Sequence, residues 1–175
     1  LNTLIKNDEM YNAIALAKKA YEYGIDAIIV QDLGLARYMI KNFPGLAVHA
    51  STQMSVHNLE GVLTLQNMGF SRVVLSRELS LQEIEFISKN SKVEIEVFAH
   101  GALCISYSGQ CLFSSMVGGR SGNRGKCAQP CRLPYELLEN DKCIDKWYLL
   151  SPKDLGGLEY LPQLVKAGVT CLKIE

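Results

Sequence analysis

Gly24-Ile25-Asp26-Ala27-Ile28-Ile29-Val30-Gln31 and Gly69-Phe70-Ser71-Arg72-Val73-Val74-Leu75-Ser76 share one pattern, and the fold is read from it. A glycine follows a helical stretch, where a left-handed C-terminal cap needs it. A short apolar run comes next, as in a strand buried on both faces, and a polar residue closes the unit. Gly168-Val169-Thr170-Cys171-Leu172-Lys173-Ile174-Glu175 repeats the pattern with a lysine inside the apolar run. The stretches between read as helices. Met10, Ile14, Ala17 and Tyr21 form one helical face. Ser80-Leu81-Gln82-Glu83 is a capping box, followed by Ile84 and Ile87 on one stripe. Ser151-Pro152-Lys153-Asp154 predicts a further helix start, with proline at the first helical position. Residues 46–50, after the Pro44-Gly45 turn, and residues 93–99 complete the interior strands; residues 1–5 and 171–175 read as the outermost pair. Strand and helix thus alternate, which means βαβ units and a parallel sheet.

Such a sheet is either doubly wound or part of a barrel. No GxGxxG follows any strand, so the dinucleotide-binding fingerprint is missing. Instead, polar groups collect at the strand ends: Asn2-Thr3, Gln31-Asp32, His49, Ser51, Gln53, Ser76-Arg77-Glu78, His100, Lys173 and Glu175. Reactive residues drawn from many strand ends suit a TIM-like barrel, whose sites lie on that face. Polar residues that merely end a strand and begin a loop would account for part of the same set. A complete barrel takes roughly 250 residues. The expectation is therefore one α/β domain over residues 1–175: the middle and late part of a TIM-like barrel, short of about two upstream βα units. An irregular Cys/Gly-rich insertion is expected over residues 101–134.

The chain has 175 residues, 18 Lys+Arg against 18 Asp+Glu, and 48% hydrophobic residues. That composition excludes disorder and suits a globular domain. No run approaches the roughly 18 apolar residues of a membrane-spanning helix, so no membrane partner is expected. Neutral charge argues against a generally basic nucleic-acid binder while leaving local patches open. Residues 1–10 carry no basic-then-apolar leader, and clustered cysteines point to a reducing cytoplasm.

Four cysteines, Cys104, Cys111, Cys127 and Cys131, are spaced C-x6-C-x15-C-x3-C. Structural zinc favours two short pairs, and only Cys127/Cys131 has that spacing. Four unevenly spaced thiolates fit an iron–sulfur cluster at least as well, and zinc, or unliganded or disulfide-linked cysteines, remain alternatives. Cys171, inside an apolar run, reads as a core residue, and the role of Cys143 stays open. No acidic residue occurs between Glu96 and Glu136, whereas Arg120, Arg124, Lys126 and Arg132 all fall there. These cations can offset the charge of a cluster, face solvent, or contact RNA phosphate. His57 is expected on the surface near a helix start. His49 and His100, at strand ends, suit a site role or a satisfied core role equally. HExxH, GxSxG and the phosphate-binding GxxxxGK[ST] are all missing, which leaves no recognisable hydrolase arrangement.

Glu96-Val97-Phe98-Ala99-His100-Gly101-Ala102-Leu103-Cys104, Gly109-Gln110-Cys111, and Gly122-Asn123-Arg124-Gly125-Lys126-Cys127-Ala128-Gln129-Pro130-Cys131-Arg132 resemble the signature of peptidase family U32, the collagenase-like proteins. His49-Ala50-Ser51-Thr52-Gln53 and Leu172-Lys173-Ile174-Glu175 extend the likeness. Phe113 departs from it, where an aliphatic residue is expected before Ser114. The resemblance implies a TIM-like barrel and an oxygen-independent hydroxylation of transfer RNA, ribosomal RNA or a ubiquinone precursor, with prephenate as a hydroxyl source for the RNA-directed members. It also implies a 4Fe–4S cluster on Cys104, Cys111, Cys127 and Cys131, with Cys143 as a substitute for Cys131. His49, Gln53, Arg77, Glu78, His100 and Lys173 would line the pocket, and Arg120 and Arg124 would contact phosphate or the donor's carboxylates. Two other readings stand beside this one: a peptidase acting on collagen-like substrates, and a zinc-stapled RNA-binding module. A barrel lacking strands is further expected to associate with another copy.

Overall fold

The structure is a computed structural model describing residues 1–175. Helix α1 (Met10–Glu22) leads to β1 (Ala27–Val30), α2 (Leu33–Asn42), β2 (Ala47–Ala50), α3 (Leu59–Met68), β3 (Arg72–Val74), α4 (Leu81–Asn90) and β4 (Glu94–Gly101). The cysteine segment then contributes α5 (Phe113–Gly118) and a separate hairpin, β5 (Tyr135–Glu139) with β6 (Lys142–Trp147). The chain finishes with β7 (Leu155–Gly156), α6 (Leu161–Lys166) and β8 (Cys171–Ile174).

Strand order in the main sheet is β1-β2-β3-β4, and β8 pairs with β4. All of these pairings are parallel, and only the short β7 runs antiparallel, against the end of β4. Spatial order follows chain order without a reversal. A doubly wound sheet reverses at a switch point and sends its helices to both faces. With no reversal, the right-handed crossovers that parallel βαβ units take keep the helices on one face, as in a barrel. Ile28, Val30, Val48, Ala50, Val73, Leu75, Ile95 and Val97 pack against the helices in one core cluster. Because side chains alternate along a strand, the other face carries His49, Arg72, Glu96, Cys171 and Lys173. The result is a parallel half-barrel, as the alternation of elements predicts.

The helix termini follow their sequence signals. Ser80 and Glu83 form the reciprocal capping box of α4, and Asp32 and Asn58 cap α2 and α3 with their side chains.

Three expectations need correction. Residues 1–5 form no strand: Leu4 N–H donates to the Asn123 carbonyl at 3.1 Å and Ile5 N–H to Asp32 Oδ2 at 3.3 Å. Their donors are satisfied by a loop and a helix cap rather than by a ladder. Ser151-Pro152 does not open a helix. Arg132 occupies the Ser151 hydroxyl and Pro152 carbonyl, and Gly156-Gly157 lie where the helix would run, a poor sequence for one. The helix starts later, with Pro162 in its first turn. The insertion, finally, extends beyond residue 134 into the β5–β6 hairpin. Its turn residues Asn140 and Asp141 both take positive φ, 49° and 61°, the conformation of a type I′ hairpin turn.

Candidate functional site

Beyond the C-terminal end of β4, the cysteine segment folds back over the barrel face. Gly101 makes the exit possible. Its φ is +125°, and a Cβ there would stand 1.7 Å from the Glu175 carbonyl oxygen. The first cysteine loop is then pinned at Ser108, which is 2% exposed. Glu78 Oε1 accepts from the Ser108 N–H at 2.9 Å, and the Ser55 hydroxyl donates to the Ser108 carbonyl at 2.8 Å. Gly109, at φ +75°, lets this loop lie against the Gln53 backbone, where a Cβ would approach the Gln53 carbonyl to 2.4 Å.

The second loop is held by other contacts. The buried Ser114 hydroxyl accepts from the Ala128 N–H at 2.9 Å. Gln129 takes a left-handed conformation, φ 54°, and its N–H donates to Cys127 Sγ at 3.3 Å. Arg132 donates to the Leu103 carbonyl at 2.7 Å, which joins the residue after Cys131 to the residue before Cys104.

These ties bring Cys104, Cys111, Cys127 and Cys131 onto the wall of one cavity of about 170 Å³. All four are free thiols, as are Cys143 and Cys171. Burial raises the Cys131 thiol pKa, and the neighbouring Cys104 and Cys127 raise it further. Thr52, Gln53, Arg77, Phe98, Tyr107 and Lys173 share the wall. The Arg77 guanidinium lies 4.3 Å from the Phe98 ring centre, and its Nε is buried without a partner. Arg77 also pairs with Glu175 at 2.7 Å.

Among the sequence-predicted residues, Gln53, Arg77 and Lys173 line this cavity, and His49, Glu78 and His100 do not. His49 is 8% exposed within the sheet. Burial, and then Arg72, lower its pKa below the usual 6.5. Glu78 positions the Ser108 loop and accepts from His57 or pairs with it at 3.1 Å. His100 is exposed at the end of β4. Neither Arg120 nor Arg124 is on the wall. Arg120 donates to the Lys126 carbonyl at 3.1 Å, and Arg124 pairs with Glu9, whose carboxyl it pulls down to about 2. Cys143 lies on β6 and donates to the Asp145 carbonyl. Cys171 is a further departure from expectation. Strand alternation places it beside Arg72, 3.3 Å away, instead of in the apolar core. The sequence marks Arg132 only as one of four clustered cations and Phe98 only as part of the signature; their contacts with Leu103 and Arg77 carry no local signal, because these partners are distant in sequence.

The sequence model of peptidase family U32 matches residues 1–175. The chain belongs to this family. It is 43% identical, over all of its own length and 27% of the relative's, to the 23S rRNA 5-hydroxycytidine C2501 synthase of Escherichia coli strain K12. It is 36% identical to the tRNA hydroxylation protein P1 of Bacillus subtilis strain 168, over 99% of this chain and 43% of that one. A collagenase of Porphyromonas gingivalis strain W83 is 35% identical, over 100% of this chain and 45% of its own length. The U32 chain thus spans between a quarter and a half of these relatives. A solved U32 peptidase overlaps 55% of this chain and 40% of its own, at TM-score 0.47 and 18% identity. No helix is long and apolar enough to cross a membrane.

Proposed function

We propose that this U32 segment belongs to an RNA-hydroxylating protein and that its cysteine pocket seats a 4Fe–4S cluster. The observation that carries the reading is the gathering of four free thiols with Arg77 and Lys173 around one cavity on the barrel face. The donor set fits the group. Four thiolates suit iron–sulfur ligation, and the Gln129 N–H donating to Cys127 Sγ is the kind of hydrogen bond that tunes such a cluster.

A bound cluster supplies electron transfer beside the substrate. The protein's own groups do the rest. Arg77 and Lys173 line the cavity with Glu175, to which Arg77 is paired, and the carboxylates of a small hydroxyl donor such as prephenate would take the place of Glu175 against these cations. The Cys104–Cys111 and Cys127–Cys131 loops cover the site, and Gln53 offers an amide at its edge. Cys131 is assigned as the fourth ligand in preference to Cys143, which the hairpin carries away from the cavity. Replacing a ring C–H by C–OH with a hydroxyl from the donor releases two electrons and a proton from the base, so the reaction needs a two-electron oxidant besides the donor, but no molecular oxygen. The RNA-directed names of two relatives support the substrate class.

The test is anaerobic purification of the full-length protein with iron, sulfide and zinc assays. About four irons per chain and broad visible absorption are expected. Cys127→Ser should lose both, and Cys143→Ser should keep them. RNA from cells lacking the protein should gain one oxygen on anaerobic incubation with the protein, the donor and an added two-electron oxidant, read by mass spectrometry. Stoichiometric zinc without iron overturns the reading. So does gelatin cleavage that survives purification and vanishes with Cys104→Ser, the result a collagenase-type peptidase would give.

A further inference from the structure

A second cavity, of about 770 Å³, lies at the same barrel face, over the start of α2 and α3. Its wall carries the amide side chains of Gln31, Gln53, Asn58, Gln110 and Asn123 and contains no lysine or arginine. The one carboxylate, Asp32, is committed: it accepts from Leu35 N–H at 2.9 Å and from Ile5 N–H at 3.3 Å. Two of the amides are not satisfied by the chain. Gln31 is 6% exposed, and its Oε1 is buried without a partner; Gln53 Oε1 is likewise unpartnered. Asn58 spends its Oδ1 on the α3 cap, which leaves its Nδ2 group free to donate.

The groove adjoins the cysteine pocket, because Gln53, Gly109 and Asn123 line both. Tyr107 stands at the junction. It is 65% exposed, belongs to the cysteine pocket, and its ring centre lies 5.9 Å from that of His57 on the groove wall.

A wall without cations does not favour phosphate or carboxylate. Amides present a donor and an acceptor in one plane, which matches the paired donor and acceptor on a base edge. Enzymes that act on a base, and proteins that read RNA sequence, bind bases turned out of the stack against an aromatic face. We propose that the groove is the base subsite: it seats the target pyrimidine of the RNA beside the cysteine pocket, with Gln31 and Gln53 reading its Watson–Crick edge and Tyr107 as a stacking face. The inference rests on the RNA-hydroxylation reading and gives that site its substrate geometry. An amide rotates to present either order of donor and acceptor, so the groove accepts uracil and cytosine alike.

The experiment uses the full-length protein with its metal centre and measures binding of uridine, cytidine and ribose 5-phosphate by saturation-transfer NMR and calorimetry. Both nucleosides should bind and ribose 5-phosphate should not compete. Gln31→Leu, which keeps the volume, and Asn58→Asp, which keeps the cap, should each weaken nucleoside binding about tenfold or more. Visible absorption and thermal unfolding should stay as in the parent protein. If Gln31→Leu unfolds, Asn58→Asp carries the test. Unchanged nucleoside binding in the folded variants, or competition by ribose 5-phosphate, overturns the inference. Hydroxylation that persists in both variants with full nucleoside binding sinks this subsite and leaves the functional reading standing. Binding that depends on Gln31, in a protein that hydroxylates no RNA, does the reverse.

Discussion

Glu96 is 5% exposed on the concave face of β4, with the Arg72 guanidinium at 3.3 Å and the Lys173 ammonium at 3.5 Å. Arg72 also pairs with Glu94 at 2.7 Å and donates to Cys171 Sγ. The network therefore runs from the base of the half-barrel to Lys173 on the cysteine pocket. A carboxylate this buried is tolerable only while its cations stay in place. Arg72→Met should destabilise the full-length protein by about 3 kcal/mol, the lower end of the cost of breaking a buried pair, because Lys173 still faces Glu96. Adding Glu96→Gln should recover part of that loss. Denaturant midpoints of the two variants and of the parent check it; equal midpoints would mean the network is solvated and incidental.

The elements that build the site are loops held by a few backbone contacts. Gly109 belongs to one of them. At φ +75° an alanine is strained, and its Cβ would meet the Gln53 carbonyl at 2.4 Å. Gly109→Ala should lift the Cys104–Cys111 loop from the β2–α3 connection while leaving the helix-facing core intact. Under the proposed cluster reading, the expected result is a full-length protein with near-parental thermal unfolding and far-UV circular dichroism that retains little of the iron the parent binds. Gly118→Ala serves as the control, because nothing lies within 4 Å of the added methyl. Parental iron content in Gly109→Ala would show that the loop tolerates displacement. Arg132 acts at the same scale. Its hydrogen bonds to Leu103, Ser151 and Pro152 clamp both cysteine loops to the connection before β7.

In the whole molecule the sheet is open. β1 pairs only with β2, and β8 only with β4. Leu172 and Ile174 of β8 are 40% and 77% exposed, and the hairpin leaves Trp147 67% exposed. Unpaired strand edges with apolar side chains invite pairing with another chain. Residues 1–175 expressed alone should therefore self-associate, seen as a concentration-dependent shift in size-exclusion chromatography. Lys substitution at Leu172 and Ile174 should reduce the shift, as charged edges do in natural sheets. A stable monomer with cooperative unfolding at all concentrations would show that the edges are protected in solution.

What the sequence determined by itself was local. Apolar runs behind capping glycines give parallel βαβ units, and Ser80 with Glu83 starts α4 as its spacing requires. The cysteine spacing marks one segment as the site. These signals lie within a few residues of one another, where propensity and periodicity act. The rest was decided by contacts between distant positions. Arg124 is paired with Glu9, 115 residues away in sequence, instead of facing a ligand. Gln53 on the turn after β2, Arg77 in the loop after β3 and Lys173 on β8 reach the cavity, while His49 is buried in the sheet and Glu78 is drawn to Ser108. The amide groove gathers Gln31 and Asn123, from separate connections, onto the wall of one cavity. Two strand-end residues of similar polarity look alike along the chain. Which one meets a cavity depends on the curvature of the sheet and on where the insertion folds back, and only the packed tertiary structure sets both.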